Sequence, residues 1–186
     1  MDKSIIILER RLFSAIGHER TQINAINDLI GNKKSIVISC KGINKDSMPF
    51  DNKVISELPR LNLKEEGEEQ FEYINKSGNA LVKILENHNF KQFNKIIIPS
   101  ARRLEIALIT YLYSQNIFPP TLMPLIRIHD IGFIENLPKP IIIKFSKLVN
   151  EGLVKLFTET VELSTKIKND LGIMCTGDLV LPVSIH

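Results

Sequence analysis

The chain has 186 residues, of which 44% are hydrophobic and 24% are charged, and its formal net charge is +3. This length supports one well-cored domain and is short for two. The slight charge gives no indication of nucleic-acid binding. No stretch approaches the roughly 20 apolar residues of a membrane-spanning helix, and the N-terminal apolar run lacks the form of a signal peptide. We therefore expect a single cytoplasmic domain over residues 1–186, with Cys40 and Cys175 as buried, unpaired thiols.

Short apolar runs alternate with longer amphipathic segments along the chain. The predicted strands are Ser4–Leu8, Ser35–Ser39, Lys95–Ile98, Leu122–Ile128, Leu153–Phe157 and Leu179–Leu181. Most of them are apolar throughout, which is typical of strands covered on both faces. The predicted helices are His18–Ile30, Glu66–Glu86, Ser100–Gln115, Pro140–Val149 and Glu159–Leu171. This alternation predicts an α/β fold with a Rossmann-like, doubly wound, mostly parallel sheet flanked by helices.

Two local features accompany these elements. One face of the first helix is apolar, and its residues are Ile23, Ile26, Leu29 and Ile30. Gly31 follows where a left-handed C-terminal cap belongs. The segment Gly42–Glu65 is polar and contains prolines, so we expect a loop there. The chain stops soon after the last predicted strand, where we expect a further domain to begin.

Ligands of an open parallel sheet bind at the carboxyl ends of the strands, where loops lead into helices. The segments that the predicted fold places there are Glu9–Glu19, Pro99–Arg103, Arg127–Asp130, Thr158–Thr160 and Pro182–His186.

The first of these loops ends in Gly17, His18 and Glu19. A glycine brings backbone close to a ligand, and the helix that follows offers N–H groups to a phosphate or hydroxyl. The alternative is that Gly17 is only an N-cap and His18 a surface residue. The glycine-rich fingerprints of dinucleotide-binding and P-loop proteins are both absent from the sequence.

The segment after the predicted third strand contains two adjacent arginines. Ser100 is expected to cap the next helix, with Arg102 and Arg103 in its first turn. Cations at this position oppose the helix dipole, which makes sense if they bind an anion. An alternative that the sequence supports equally well is that both side chains bind no anion and only extend into water.

The next two strands also end in polar residues. His129 and Asp130 point in opposite directions, so one reaches a cleft while the other anchors the loop. Histidine suits hydrogen bonding or proton transfer near neutral pH. Thr158 and Glu159 fit a helix cap and its acidic first turn, so a structural role is favoured for them.

Two further observations concern metals and membranes. The sequence shows no metal-ligand spacing, nucleophile elbow or Cys–His pair, and we expect neither a metal nor a cofactor. The segment Leu137–Val149 mixes Lys139, Lys144 and Lys147 with apolar residues. Such a helix either packs on the sheet with its lysines in water, which is commoner, or lies on an anionic bilayer surface.

Taken in order, these segments resemble the N-terminal half of GT-B glycosyltransferases. The resemblance is greatest to the bacterial family 4-like group, which builds cell-surface polysaccharides and lipopolysaccharides. The segments that carry it are a first strand leading to GHE and an N-x-x-x-D-L helix, IIIPSARRLEIALI, LIRIHDIG, and VKLFTETVELSTKIKNDLG with DLVLPVSIH. The resemblance runs from Ile5 to His186 and is weak only over Gly42–Gln92.

The resemblance implies sugar transfer from a nucleotide-sugar donor to a surface glycan or lipid-linked acceptor. Members of the group have two Rossmann-like domains with the active site between them, and they generally need no metal. Only the acceptor-side domain corresponds to this sequence, so we expect the chain alone to be inactive. Its partners would be the C-terminal domain or a partner subunit, and the inner face of the membrane.

The same resemblance assigns roles to individual residues. Gly17 and His18 would line the cleft floor, and His129 would contact the donor sugar or assist the acceptor hydroxyl. Arg102 and Arg103 would bind a phosphate of a lipid-linked acceptor. The remaining predicted substrate-binding residues are Glu19, Asp130, Thr158 and Glu159. The alternative function is a stand-alone Rossmann-like binding module or partner subunit without catalysis of its own; a flavodoxin-like enzyme lacks supporting signatures.

Overall fold

A computed structural model describes residues 4–12, 18–30, 35–43, 52–60, 68–89 and 92–178. The elements are, in chain order, β1 (Ser4–Leu8), α1 (His18–Ile30), β2 (Ser35–Cys40), β3 (Lys53–Leu58), α2 (Glu68–Asn87), β4 (Phe93–Ile98), α3 (Arg103–Ser114), β5 (Met123–Ile128), α4 (Gly132–Glu135), α5 (Lys139–Asn150), β6 (Lys155–Thr158), α6 (Val161–Leu171) and β7 (Gly177–Asp178).

The strands form one seven-stranded parallel sheet in the order β3-β2-β1-β4-β5-β6-β7. The chain builds from β1 outward to β3, then returns to the other side of β1 and builds outward again from β4 to β7. This reversal makes the boundary between β1 and β4 the topological switch point, where sheets of this kind bind their ligands. The prediction of an α/β, Rossmann-like, doubly wound parallel sheet is confirmed.

The central strand β1 supplies apolar side chains to both faces of the sheet. Ile6 and Leu8 belong to the larger core cluster, whereas Ile7 packs in a smaller one with Ile23 and Val37. Successive side chains of a strand point to opposite faces, so a fully apolar run is what a strand covered on both sides requires. The helix α1 covers the smaller cluster through Ile23, but Leu29 is 71% exposed and does not belong to the apolar face predicted for it.

The strand β3 corrects the prediction of a loop over Gly42–Glu65. It pairs in parallel with β2 and buries Ile55 and Leu58, while Lys53 and Glu57 are exposed. An edge strand needs apolar residues at only some positions, and exposed charges protect its open side from pairing with other chains. It therefore lacks the continuous apolar run that made the central strands recognisable.

Two helices begin later than predicted. The N-cap of α3 is Arg102, not Ser100, and the backbone N–H of Arg102 donates to Glu105 Oε2 at 2.9 Å. The N-cap of α6 is Thr160, not Thr158, and its Oγ1 accepts from the N–H of Leu163 at 3.1 Å. Ser100 instead lies between β4 and α3 and donates to Gln22, and Thr158 is the last residue of β6.

Other boundaries differ by small amounts. The strand β4 begins at Phe93 and β6 at Lys155, each near its predicted start, and the short helix α4 was not predicted. The predicted strand Leu179–Leu181 and the cap at Gly31 lie outside the described residues. Cys40 is a buried free thiol as expected, whereas Cys175 is partly exposed.

Candidate functional site

The ends of four neighbouring strands meet at one edge of the sheet, which we call the carboxyl edge. Because β1, β4, β5 and β6 all run in the same direction, the segments 9–12, 99–102, 127–130 and 158–160 emerge side by side. The backbone N–H of Ala101 donates to the carbonyl of Arg127 at 3.0 Å, which fixes two of these segments to each other. Several charged side chains lie among them.

Arg10 forms a buried ion pair that links β1 to two helices. Its Nη1 donates to Glu105 Oε1 at 2.7 Å, and its Nη2 donates to the Tyr73 hydroxyl at 2.6 Å. The Tyr73 hydroxyl in turn donates to the carbonyl of Pro59 at 2.8 Å. Arg10 and Glu105 are only 8% and 4% exposed, and the guanidinium carbon lies 5.3 Å from the centre of the Tyr73 ring. This arrangement holds the segment after β1 against α2 and α3.

Arg11 lies on the other side of the same segment, at the switch point. Its Nη2 donates to the carbonyl of Ser100 at 2.5 Å, and its Nε lies 3.4 Å from Glu9 Oε1 and 4.0 Å from Glu19 Oε1. Glu9 is 3% exposed, and its Oε1 also accepts the backbone N–H of Arg11 at 3.0 Å. Burial raises the pKa of the Glu9 carboxyl to about 7, against the lowering effect of Arg11.

A third arginine lies at the end of β5. Arg127 is 1% exposed, its Nη1 donates to the carbonyl of Pro99 at 3.0 Å, and its Nη2 pairs with Glu159 Oε1. Glu159 thus precedes the cap of α6 and binds a neighbouring strand, instead of occupying the first helical turn as predicted. Thr158 is fully buried, and its Oγ1 donates to the carbonyl of Thr160 at 2.9 Å.

His129 and Asp130 follow β5 and have different surroundings. The Asp130 Oδ1 accepts the N–H of Gly132 at 2.8 Å and so anchors the turn into α4. His129 is exposed, and its ring contacts Phe133 edge-on with 4.9 Å between ring centres. Partial burial lowers the pKa of His129; Glu159 opposes this, while Arg102, Arg127 and Arg11 add to it. The imidazole is therefore neutral at neutral pH and has a nitrogen that can accept a proton.

The structure brings together most of the predicted site residues that it describes. Glu19, Arg102, His129 and Glu159 lie at the carboxyl edge. Glu19 is close to Arg11, and the charges of Arg102 and Glu159 act on the His129 ring. Arg103 is exposed in the first turn of α3 and makes no ion pair with any residue in the described ranges. Gly17 and the side chain of His18 lie outside the described part of the chain, so their predicted roles are untested.

Sequence reasoning placed the segments Glu9–Glu19 and Arg127–Asp130 at this edge but assigned no role to four of their residues, which are Glu9, Arg10, Arg11 and Arg127. Each is a charged residue next to or inside an apolar strand. A charged side chain at a buried strand end needs an ion-pair partner or a ligand. The position of these residues was therefore the signal by which they could have been recognised. Its partners could not be found from the sequence, since Arg10 and Glu105 are 95 positions apart.

A second concave region lies among the helices. It is a groove of about 570 Å³ between α2, α3 and α5, and its walls include Phe71, Ile74, Tyr111, Pro140, Ile141 and Lys144. We call it the helix-layer groove. None of the charged residues of the carboxyl edge lines it. Within the described ranges, no group of three or more His, Cys, Asp or Glu side chains is placed to hold a metal, and no helix is long and apolar enough to cross a membrane.

Comparison with known proteins gives little guidance on function. No protein-family model matches this chain, and no curated protein matches it significantly in sequence. Among solved structures, a UGT transferase from Siraitia grosvenorii in complex with UDP aligns with 92% of this chain at a TM-score of 0.49 and 11% sequence identity. The alignment covers 50% of that protein, so this chain spans half of its length. A similarity this low does not indicate a function.

Proposed function

We propose that this chain is the N-terminal, acceptor-side domain of a GT-B glycosyltransferase. Together with a C-terminal domain, it transfers a sugar from a nucleotide-sugar donor to a cell-surface glycan or lipid-linked acceptor. The observation that carries the proposal is the convergence of His129, Arg102 and Glu159 at the carboxyl edge. A doubly wound sheet binds ligands at this edge, and the family that the sequence resembles opens its interdomain cleft there.

His129 is the proposed catalytic residue. Its neutral, exposed imidazole is suited to accept the proton of the attacking acceptor hydroxyl. As the hydroxyl oxygen bonds to the sugar carbon, the bond from that carbon to the phosphate oxygen breaks, and the diphosphate leaves with the electron pair. Nearby guanidinium groups stabilise the negative charge that develops on the leaving diphosphate, so this proposal assigns no step to a metal.

The other edge residues divide into ligand-binding and supporting groups. Arg102 and Arg103 are exposed, and we assign them to a phosphate of a lipid-linked acceptor. One carboxylate oxygen of Glu159 accepts a hydrogen bond from Arg127, and we assign the other oxygen to accept a hydrogen bond from a sugar hydroxyl. Thr158 and Asp130 bond to neighbouring backbone, so their contribution is to hold the loops rather than to contact substrate.

The helix α5 is the proposed contact with the inner face of the membrane. It exposes Lys139, Lys144 and Lys147, and its Ile143 is 69% exposed. Basic residues around an exposed apolar side chain suit a surface of anionic lipids. Such a contact would bring the carboxyl edge near a lipid-linked acceptor.

Transfer by the native-length gene product tests this proposal. The product, isolated from source cells, is supplied with a panel of nucleotide sugars and cell-envelope extract, and release of nucleoside diphosphate is measured. His129→Ala should lower turnover by about 100-fold or more, because general base catalysis is lost. His88→Ala is the matched control, since His88 follows α2 at the opposite edge of the sheet.

Two results would contradict this proposal. Near wild-type turnover in a His129→Ala variant with an unchanged unfolding curve would rule out the assigned role of His129. A native-length product that transfers no sugar from any donor would favour the stand-alone binding module instead.

A further inference from the structure

Arg11 is a cation with unused hydrogen-bonding capacity at the switch point. Its Nη1 is buried and has no hydrogen-bond partner in the part of the chain that the structure describes, and its Nε is 3.4 Å from Glu9 and 4.0 Å from Glu19. Only the bond from Nη2 to the carbonyl of Ser100 is short. A buried N–H group without a partner costs free energy, and two carboxylates at these distances do not form the bidentate pair that a guanidinium favours.

The adjacent Arg10 has more strongly bonded terminal nitrogens in the same segment, although its buried Nε also has no hydrogen-bond partner among the described residues. Arg10 makes charge-assisted bonds of 2.7 Å and 2.6 Å to Glu105 and Tyr73, and it is enclosed at 8% exposure. The Arg11 side chain is 21% exposed, so a ligand can reach it from solvent. Each arginine thus has one unpartnered nitrogen, but only Arg10 has both terminal nitrogens on short side-chain bonds and is nearly closed off from solvent. This difference indicates a structural role for Arg10 and a binding role for Arg11.

The surroundings of Arg11 favour a ligand with several negatively charged oxygens. Arg102 is exposed and forms no ion pair with the residues described. The positive charges of Arg11 and Arg102 both contribute to lowering the pKa of His129, so the two guanidinium groups lie near the same ring. Glu9 has a pKa of about 7, so at neutral pH it carries only part of a negative charge. Glu19 is the opposing charge, and at 4.0 Å it holds Arg11 only weakly.

We propose that Arg11 and Arg102 form a subsite for a phosphate or diphosphate group at the boundary of β1 and β4. On binding, the Arg11 guanidinium turns from Glu9 and Glu19 toward the phosphate oxygens and donates to them in a bidentate manner. Glu9 keeps the backbone N–H of Arg11 as its partner and holds the segment in place. The subsite deepens the proposed function and rests on it for the source of the phosphate, which is either the donor diphosphate or the phosphate of a lipid-linked acceptor.

An NMR titration of the 186-residue chain with inorganic pyrophosphate tests the subsite. Pyrophosphate should shift the Nε–H signal of Arg11, and Arg11→Gln should weaken binding about 10- to 100-fold because charge-assisted bonds are lost. Arg11→Lys should give an intermediate affinity, since it keeps the charge but not the planar fork. Lys83→Gln is the charge control, because it removes one positive charge from an exposed position on α2 that has no assigned role, and it should leave the affinity unchanged.

Pyrophosphate binding that is absent, or equal in wild type and Arg11→Gln, overturns the subsite. Thermal unfolding of each variant shows that it is folded, and Arg11→Lys provides the test if Arg11→Gln is not. Parallel titrations with uridine diphosphate and farnesyl phosphate show which source of phosphate binds more tightly. Arg11-dependent binding in a protein that transfers no sugar would sustain the subsite and contradict the proposed function, so the two failures are distinguishable.

Discussion

The carboxyl edge and the helix-layer groove present opposite properties to a ligand. The groove has volume, about 570 Å³, and the hydroxyls at its centre are already bonded: the Tyr111 hydroxyl donates to Asn75, and Thr110 donates to a backbone carbonyl. The edge has a neutral exposed His129 and an Arg11 with an unpartnered N–H group. Shape alone therefore does not mark the site, because specificity requires polar groups that still need partners.

Removing the buried ion pair should have the largest effect on stability. Arg10→Ala leaves Glu105 buried without its cation, which typically costs about 3 to 5 kcal/mol. Urea unfolding monitored by circular dichroism measures the loss. Arg103→Ala, in the exposed first turn of α3, should change stability by no more than about 0.5 kcal/mol. A loss below about 1 kcal/mol for Arg10→Ala would show that the edge is not held by this pair.

Glu9 should make the stability of the fold depend on pH. Its pKa rises from 4.5 to about 7 on folding, so its contribution is fully present below pH 4.5 and is lost as the pH rises to about 7. At about 1.36 kcal/mol per pKa unit, the loss is on the order of 3 kcal/mol. Glu9→Gln cannot ionise, and the difference in unfolding free energy between it and wild type should change with pH over this window. A difference that stays constant from pH 4.5 to 7 would contradict the burial of a titrating carboxyl.

The smallest predicted effect concerns the electrostatics around His129. Partial burial lowers its pKa, with Glu159 opposing and the positive charge of Arg102 adding to the lowering. Arg102→Gln should therefore raise the pKa of His129, while Arg103→Gln should leave it unchanged. An NMR titration of the imidazole signals, assigned with His129→Asn, measures both values. Equal pKa values of His129 in wild type and Arg102→Gln would show that the Arg102 charge does not act on His129.

The sequence allowed the fold to be predicted where burial was complete. The apolar run of β1, with Ile6 and Ile7 facing opposite cores, indicated a central strand of a parallel sheet. The edge strand β3 could not be recognised, because its exposed Lys53 and Glu57 interrupt the apolar pattern. Patterns of burial therefore predict central strands better than edge strands.

The candidate site was predictable only in part, for a different reason. Topology rules locate the ends of strands, and this was enough to bring His129 and Glu159 to one edge. The role of a charged residue depends on partners that are distant in sequence, as Arg10 and Glu105 are. Nothing local distinguishes Arg10 from Arg11, yet the Arg10 side chain is only 9% exposed whereas that of Arg11 is 21% exposed.

The most direct test is to map where a nucleoside diphosphate binds to the chain. An NMR titration with uridine diphosphate, and with the adenosine and guanosine diphosphates in parallel, reports on both regions at once. We expect perturbed signals at Arg11, Arg102 and His129, with the signals of Tyr111 and Ile141 unchanged. Perturbations confined to the helix-layer groove around Tyr111 and Ile141 would contradict this expectation and would place the ligand among the helices instead.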